Sequence, residues 1–435
     1  MHPTIGDACF VPIDLYRLAS LLTFFTIRLP GNPHMPSDQS PLPQGFRTSG
    51  LHCGIKSDPD TLDLALFVSD RPCAAAGVFT QNRVCGAPVK VSRERVPRAT
   101  CRAVIINSGN ANACTGAQGL KDARWMTDEI AAGLGCSADD VLVCSTGVIG
   151  HPLPREALAG GLPAAVDRLA ATPDAFTDAA RGMMTTDTIV KQSVRQADFD
   201  GTTVTISGAA KGAAMIAPNM ATMLAVIMTD APLSADEADR MLRHAIDRSF
   251  NCISVDGHMS TSDTVILLAG GTADSGPLGV GNQQQLQTMI DEVAIDLAQA
   301  IIRDAEGAAH FITIDVHGLR SAEQASQIAR AVADSPLVKT AIAGADPNWG
   351  RIVSAVGYAD VDLQEEEISL AINGTTIYRA GSPLVYDERA VSDQMRTDRD
   401  VHIDIEIAQD GFAAVRFWTS DLTAEYVRLN AEYTT

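Results

Sequence analysis

The chain has 435 residues, a formal net charge of −20 and 46% hydrophobic residues with few aromatics. That length calls for two lobes or one large α/β domain, not one small core. The acidity, with no Lys/Arg cluster to offset it, argues against nucleic acid and for small-molecule chemistry. Nine cysteines occur without a CxxC pair or a zinc-like Cys/His spacing, so buried thiols in a reducing cytoplasm are expected. The nine histidines form no HExxH motif, and neither a metal nor a cofactor is expected.

Residues 1–43 read as an N-terminal extension. Its apolar patch, Leu18–Ile27, is too short to span a bilayer and lacks the basic start of a signal peptide. A Pro-rich linker follows with Met35 inside it. The extension is expected to be disordered, or to precede a true start at Met35, and no membrane association is expected.

From Gly45 the chain reads as compact. Strands are predicted over Thr61–Ser69 and Ala74–Thr80, and Cys101–Ile106 is a short buried strand. It runs into Asn107–Gly116, a small amide-rich loop with two readings. Its backbone N–H groups can cradle a phosphate, or its Asn side chains can brace the neighbouring main chain. It lacks the GxxxxGK[ST] lysine and the GxGxxG spacing, which weakens a nucleotide-binding reading. Gln118–Leu134 is helical by period, and Val141–Cys144 is a strand. The turn Ser145–Gly150 follows. There the Thr146 hydroxyl and the Gly147 N–H can donate to one point, as an oxyanion hole requires; a plain Thr-Gly turn is the other reading.

Helices within Arg155–Ala170 and Pro173–Met183 lead to the small, polar stretch Met184–Thr188. Strands Val194–Phe199 and Thr203–Ile206 come next. Further on, Ser234 caps a helix to Arg248, Thr264 opens a strand with the apolar run Val265–Ala269, and Gln284–Asp304 is the longest helix. Glu306, just past that helix, opposes its macrodipole, which marks either function or a solvated surface carboxylate. Phe311–Val316 is a strand, Ser321–Asp334 a helix, and Gly344–Arg351 a rigid polar turn around Trp349. Strands and helices interleave to the end, which gives layered α/β architecture.

The chemistry centres on Lys211–Leu224, a Gly- and Pro-bearing loop that runs into the apolar stretch Thr222–Met228. Thr222 reads either as a β-branched strand opener or as a nucleophile held by a strand on one side and open through a loop on the other. If its hydroxyl attacks the Ala221 carbonyl, the amide becomes an ester, and hydrolysis frees Thr222 with its own α-amine. That amine has an ordinary pKa near ~8 and can serve as general base on the same residue.

These segments together resemble the bifunctional ornithine acetyltransferases, also called glutamate N-acetyltransferases, of arginine biosynthesis. Lys211–Leu224 resembles their self-processing segment, Asn107–Gly116 their NSGNANACTG and Ser145–Gly150 their STGVIG. Arg303–Gly307 resembles RDxEG, Asp346–Ile352 resembles DPNWGRI, and Trp418–Thr435 resembles the terminal WTxDLT…YVxxNAxYxT. The similarity covers about residues 44–435. It implies a layered α/β sandwich of the self-processing ornithine acetyltransferase type, reminiscent of N-terminal-nucleophile hydrolases. It also implies cleavage into an α chain, 44–221, and a β chain, 222–435, assembled as α2β2.

Carried over by motif, Thr222 is the nucleophile, Thr146 and Gly147 are the oxyanion pair, and Ala221–Thr222 is the cleavage site. Thr185, Lys211, Thr222, Glu306, Asn430 and Thr435 are the substrate contacts. The implied reaction moves acetyl from N-acetylornithine to glutamate through acetyl-Thr222, and acetyl-CoA is an open second donor. Two places depart from the family pattern: Ala213-Ala214 stands for Ser-Gly, and His258-Met259 for Asp-Thr. The competing functions are a related self-cleaving amidase or aminopeptidase, and a nucleotide-binding module.

Overall fold

The structure is a computed structural model that describes residues 42–217, 223–271, 276 and 278–432. The N-terminal extension, apart from its last two residues, lies outside the described residues, as do Ala221, Thr222 and Thr435. Residues from Ser40 onward cluster as one unit, so the expected α and β chains are not separate domains.

The first sheet has eight strands. They are β1 (Phe46–Leu51), β2 (Leu64–Phe79), β3 (Arg98–Asn110), β4 (Val141–Val148), β5 (Lys191–Phe199), β6 (Thr202–Lys211), β7 (Leu224–Thr229) and β9 (Thr264–Ala269), with β8 (Ile253–Ser254) belonging to the second sheet. Their order is β4-β3-β2-β9-β7-β6-β5, with β1 paired to β2. The pairs β3–β4 and β7–β9 are parallel and the others antiparallel. The apolar runs in β7 and β9 form strands because both their faces are buried. Leu224, Val226 and Met228 point into one core, and Ala225 and Ile227 into another.

The two strands expected over Thr61–Ser69 and Ala74–Thr80 are one strand, β2. Its first half pairs with β1 and β3 and its second half with β9, and the register breaks between Val68 and Ala75. Such irregularities bend a strand. β4 and β6, distant in strand order, come within hydrogen-bond reach through the Lys211 and Thr146 side chains near their C-terminal ends.

The helices are α1 (Ala87–Arg93), α2 (Gly116–Leu134), α3 (Arg155–Asp167), α4 (Pro173–Met183), α5 (Ala235–Asp247), α6 (Val280–Arg303), α7 (Ala322–Ala333), α8 (Pro336–Ala343), α9 (Trp349–Gly357), α10 (Glu388–Thr397) and α11 (Ala424–Glu432). α1, α2 and α3 share a core with the Leu64–Leu66–Val68 face of β2, and α4 covers the opposite Ala65–Phe67 face. α4 starts where Thr172 accepts from Ala175 N–H with Pro173 at its first position, and α5 starts at a full Ser234–Glu237 capping box.

The second sheet adds β10 (Phe311–Leu319), β11 (Ile368–Ile372), β12 (Thr375–Arg379), β13 (Ser382–Pro383), β14 (Asp400–Ile407) and β15 (Ala413–Ser420), in the order β13-β12-β11-β14-β10-β15-β8. α6 packs on β5 and β6 and also reaches β15 and β8, so it lies between the two sheets. The result is the expected layered α/β sandwich. Among the described residues no helix is long and apolar enough to cross a membrane.

Three local readings change. Asn107–Asn110 continue β3 instead of opening a loop, because they pair in register with Ser145–Val148 of β4. Thr146 and Gly147 are likewise the end of a strand, not a turn after it. The segment at Trp349 begins α9: Asn348 accepts from Arg351 N–H and caps it, so only Gly344–Asn348 remains a turn.

Candidate active site

Strand ends and polar turns converge where β6 stops. Lys211 is its last residue, 2% exposed, and its Nζ donates to Thr146 Oγ1 at 3.3 Å. Among the described residues no carboxylate is ion-paired to it. Burial pushes the Lys211 ammonium pKa down, against the pull of Asp187, Asp263 and Glu306. A buried cation whose only hydrogen bond among the described residues is to a hydroxyl is an expensive arrangement unless something else completes it.

Asp187 holds the next peptide. Its Oδ1 accepts from Gly212 N–H at 2.6 Å and from Lys191 Nζ at 2.7 Å, and its Oδ2 accepts from Thr185 N–H at 3.0 Å. Lys191 is fully buried and bonds Asp304 at 2.5 Å on its other side; Asp304 also accepts from Thr188. Burial alone would raise the Asp187 pKa, but Lys211, Lys191 and the Gly212 N–H bring it to about 2. A depressed carboxylate stabilises the fold above its ordinary pKa and loses that contribution as pH falls through the folded value. Wild-type stability is therefore expected to drop by about 2 kcal/mol on this account between roughly pH 4 and pH 2. Urea unfolding across that window should show a shallower acid loss in Asp187→Asn; an identical slope in the two proteins would contradict the assignment.

Two more carboxylates pin main chain around residues 218–222. Asp256 accepts from Met215 N–H at 2.7 Å, Ile216 N–H at 3.0 Å and the Tyr426 hydroxyl at 3.0 Å. Asp263 is fully buried, and its Oδ1 accepts from Met223 N–H at 3.1 Å, while its Oδ2 has no hydrogen-bond partner within 3.5 Å among the described residues. Burial pushes the Asp263 carboxyl well above the usual range. Main chain is thus held at Gly212, Met215 and Ile216 before the central segment and at Met223 after it.

Glu306 follows α6. Its N–H donates to Ala213 O at 2.9 Å, and its Oε2 accepts from Asn430 Nδ2 at 3.0 Å. Lys211 and Glu306 therefore flank the same short segment. Gly147 sits at φ +129°, and a Cβ there would lie 2.3 Å from the Gly109 carbonyl carbon. Gly147→Ala is expected to push β4 away from β3, cost about 1–3 kcal/mol, and depress turnover more than stability explains. A thermal melt beside an activity assay checks it.

The structure thus gathers Thr146, Gly147, Thr185, Lys211, Glu306 and Asn430 around one place. The sequence reading did not single out Asp187, Lys191, Asp256, Asp263 or Asp304. Their one local signal was the Asp187/Lys191 spacing of four. The Asn-rich segment braces main chain: Asn107 Nδ2 donates to Asn110 O, Asn110 Nδ2 to His151 O and Pro152 O, and Asn112 Nδ2 to Gly119 O. Its side-chain amides thus brace the neighbouring main chain, the second of the two readings, and the N–H groups of Ser108, Ala111 and Asn112 also have protein partners. Of the departures from the family pattern, His258 and Met259 are exposed, whereas Ala213 is buried and offers its carbonyl to Glu306.

Charge of both signs beside a hydroxyl–glycine strand end is the chemistry that an enzyme acting on a small zwitterionic molecule requires. The family model described as "ArgJ family" matches residues 47–435. The arginine biosynthesis bifunctional protein ArgJ of Rhodopirellula baltica is 44% identical over 403 residues, 92% of this chain and 98% of that protein. Its counterpart from Geobacter sulfurreducens is 45% identical over 396 residues, 90% and 99% of the two chains. The chain belongs to the ArgJ family. Among solved structures, the Bacillus halodurans ArgJ protein is 33% identical with a TM-score of 0.46, covering 48% of this chain and 98% of that one. An ornithine acetyltransferase from Mycobacterium tuberculosis, solved with ornithine, is 39% identical with a TM-score of 0.38, covering 41% and 94%.

Proposed function

We propose that this arginine-biosynthesis acyltransferase moves acetyl from N-acetylornithine to glutamate through an ester on Thr222, after cutting itself between Ala221 and Thr222. The observation that carries the reading is buried Lys211, without a carboxylate partner among the described residues, beside Glu306. A fixed cation and a fixed anion complement the α-carboxylate and distal ammonium of ornithine. Thr185, Asn430 and Thr435 complete the proposed substrate contacts.

Each step follows from the chemistry of these groups. The free Thr222 amine takes the hydroxyl proton, and the oxygen attacks the acetyl carbonyl. Thr146 Oγ1 already accepts from Lys211, so its own O–H is left to donate forward with Gly147 N–H to the developing oxyanion. Ornithine leaves with the proton. Glutamate's amine then attacks the ester and restores the Thr222 hydroxyl. Acetyl-CoA is the second donor to test.

Self-cleavage suits a segment whose flanks are held by Asp187, Asp256 and Asp263. The two products would stay together, because β7 and β9 follow the cut yet pair with β6 and β2 before it. Their buried Leu, Val, Ile and Met side chains contribute about 1.5–3 kcal/mol each. We place the α2β2 product in the cytoplasm, since all eight described cysteines are unbridged.

Incubation with N-acetylornithine, with and without glutamate, tests the transfer. Ornithine release is expected to depend on glutamate and to yield N-acetylglutamate one for one, with parallel double-reciprocal lines. Acetate release that ignores glutamate would favour a self-cleaving amidase instead.

A further inference from the structure

Lys56 has no part in the roles proposed above, yet it lies against them. Its N–H, with those of Cys53, Gly54 and Ile55, donates to the buried Asp63 carboxylate, which fixes the loop that carries it. Its side chain then runs inward. A Cβ on Gly109 would lie 3.1 Å from Lys56 Cγ, and a Cβ on Gly147 would strike Gly109. The Lys56 stem therefore backs directly onto the β3 end that backs onto Gly147.

Beyond the stem, Nζ donates to Leu62 O at 2.6 Å and to Met184 O at 2.7 Å. Met184 precedes Thr185. Both acceptors are backbone carbonyls, and among the described residues no carboxylate is ion-paired to Nζ. Half-burying an ammonium on two neutral carbonyls costs desolvation that an uncharged side chain would avoid. A purely structural clamp gives no reason for that cost.

We infer that Lys56 is a positioning residue of the acyl-transfer site, which ties the turn carrying Thr185 to the strand end carrying Gly147 and places a positive charge behind it. The inference rests on the transferase reading. The charge is close enough to Lys211, whose Nζ reaches Thr146 Oγ1, for the two ammonium groups to oppose one another, and in such a partly dehydrated setting charge acts strongly on a developing oxyanion. The clamp keeps Thr185 in register with that point. The charged groups facing Lys56 are Asp63, Lys211 and Asp187. Burial, with Lys211 assisting and Asp63 and Asp187 opposing, brings the Lys56 ammonium down to about 8.

This predicts a pH signature. The Thr222 amine, ordinarily near ~8, must be neutral to act, so turnover rises with pH. Lys56 must be charged, so turnover falls again above about 8. Arginine keeps the charge and does not titrate there.

The test compares wild type, Lys56→Met and Lys56→Arg in glutamate-dependent deacetylation of N-acetylornithine from pH 6 to pH 10. Lys56→Met is expected to lower kcat by about 10- to 100-fold, with KM for N-acetylornithine within about threefold because Lys211 and Glu306 are intact. Lys56→Arg should retain most of kcat and lose the alkaline fall. An unchanged kcat in Lys56→Met, or an alkaline fall in Lys56→Arg identical to wild type, overturns the inference. If Lys56→Met does not fold, the Lys56→Arg profile decides alone. Wild-type protein with no glutamate-dependent transfer would instead overturn the transferase reading itself, a distinct result.

Discussion

Thr222→Ala is expected to purify as one uncut 435-residue chain without transferase activity, a loss on the order of 10⁴-fold or more. The substitution removes the hydroxyl that both cleavage and acetyl transfer require. It also removes the cut that creates the α-amine base, so the two functions fail together. Thr222→Ser keeps a hydroxyl and should cut and turn over, only more slowly. The pinned flanks make a folding explanation weak: Gly212, Met215, Ile216 and Met223 are held through their backbone N–H groups, which alanine at 222 leaves in place. Intact mass and a thermal melt on the same sample check the result. A cut, active Thr222→Ala protein would rule out the nucleophile.

Lys211→Met is expected to lower kcat/KM by about 10- to 100-fold, the worth of a charge-assisted hydrogen bond to a substrate carboxylate. It should do so without lowering the melting temperature. Among the described residues buried Lys211 has a single hydroxyl bond and no paired carboxylate, so an apolar side chain of similar length relieves desolvation. Asp187 keeps Lys191 as its partner in the variant. Loss of function without loss of stability separates a substrate-binding lysine from a structural one. A large drop in melting temperature with kcat/KM preserved would contradict the assignment.

The parts of this molecule that were legible in sequence share one property: their causes are local. β7 and β9 announce themselves as apolar runs because both faces are buried, and α5 shows Ser234 and Glu237 at capping-box spacing. α1 and α8 are short and were missed, although each starts at a Gly-Ala-Pro or Ser-Pro signal. The irregularity in β2 leaves a local mark, Pro72 within Asp70–Cys73, but that mark reads as a break between two strands, and only the different partners along its length show it to be one.

The site divides in the same way. Its hydroxyls, Lys211 and Glu306 lie in motifs that could be matched. The carboxylates that hold the main chain act across 25 residues from Asp187 to Gly212 and about 40 from Asp256 to Met215 and from Asp263 to Met223. No window of sequence contains both partners. The same holds for Lys56, whose bond to Met184 O spans 128 residues.

The central claim is that acetyl rests on Thr222 between two substrates. The direct measurement is the intact mass of the purified protein after brief exposure to N-acetylornithine without glutamate. The account predicts two chains, with the one beginning at Thr222 heavier by about 42 Da, an acetyl group, and returning to its original mass when glutamate is added. A single intact chain that still turns over, or a chain beginning at Thr222 that gains no mass while ornithine is released, would contradict it.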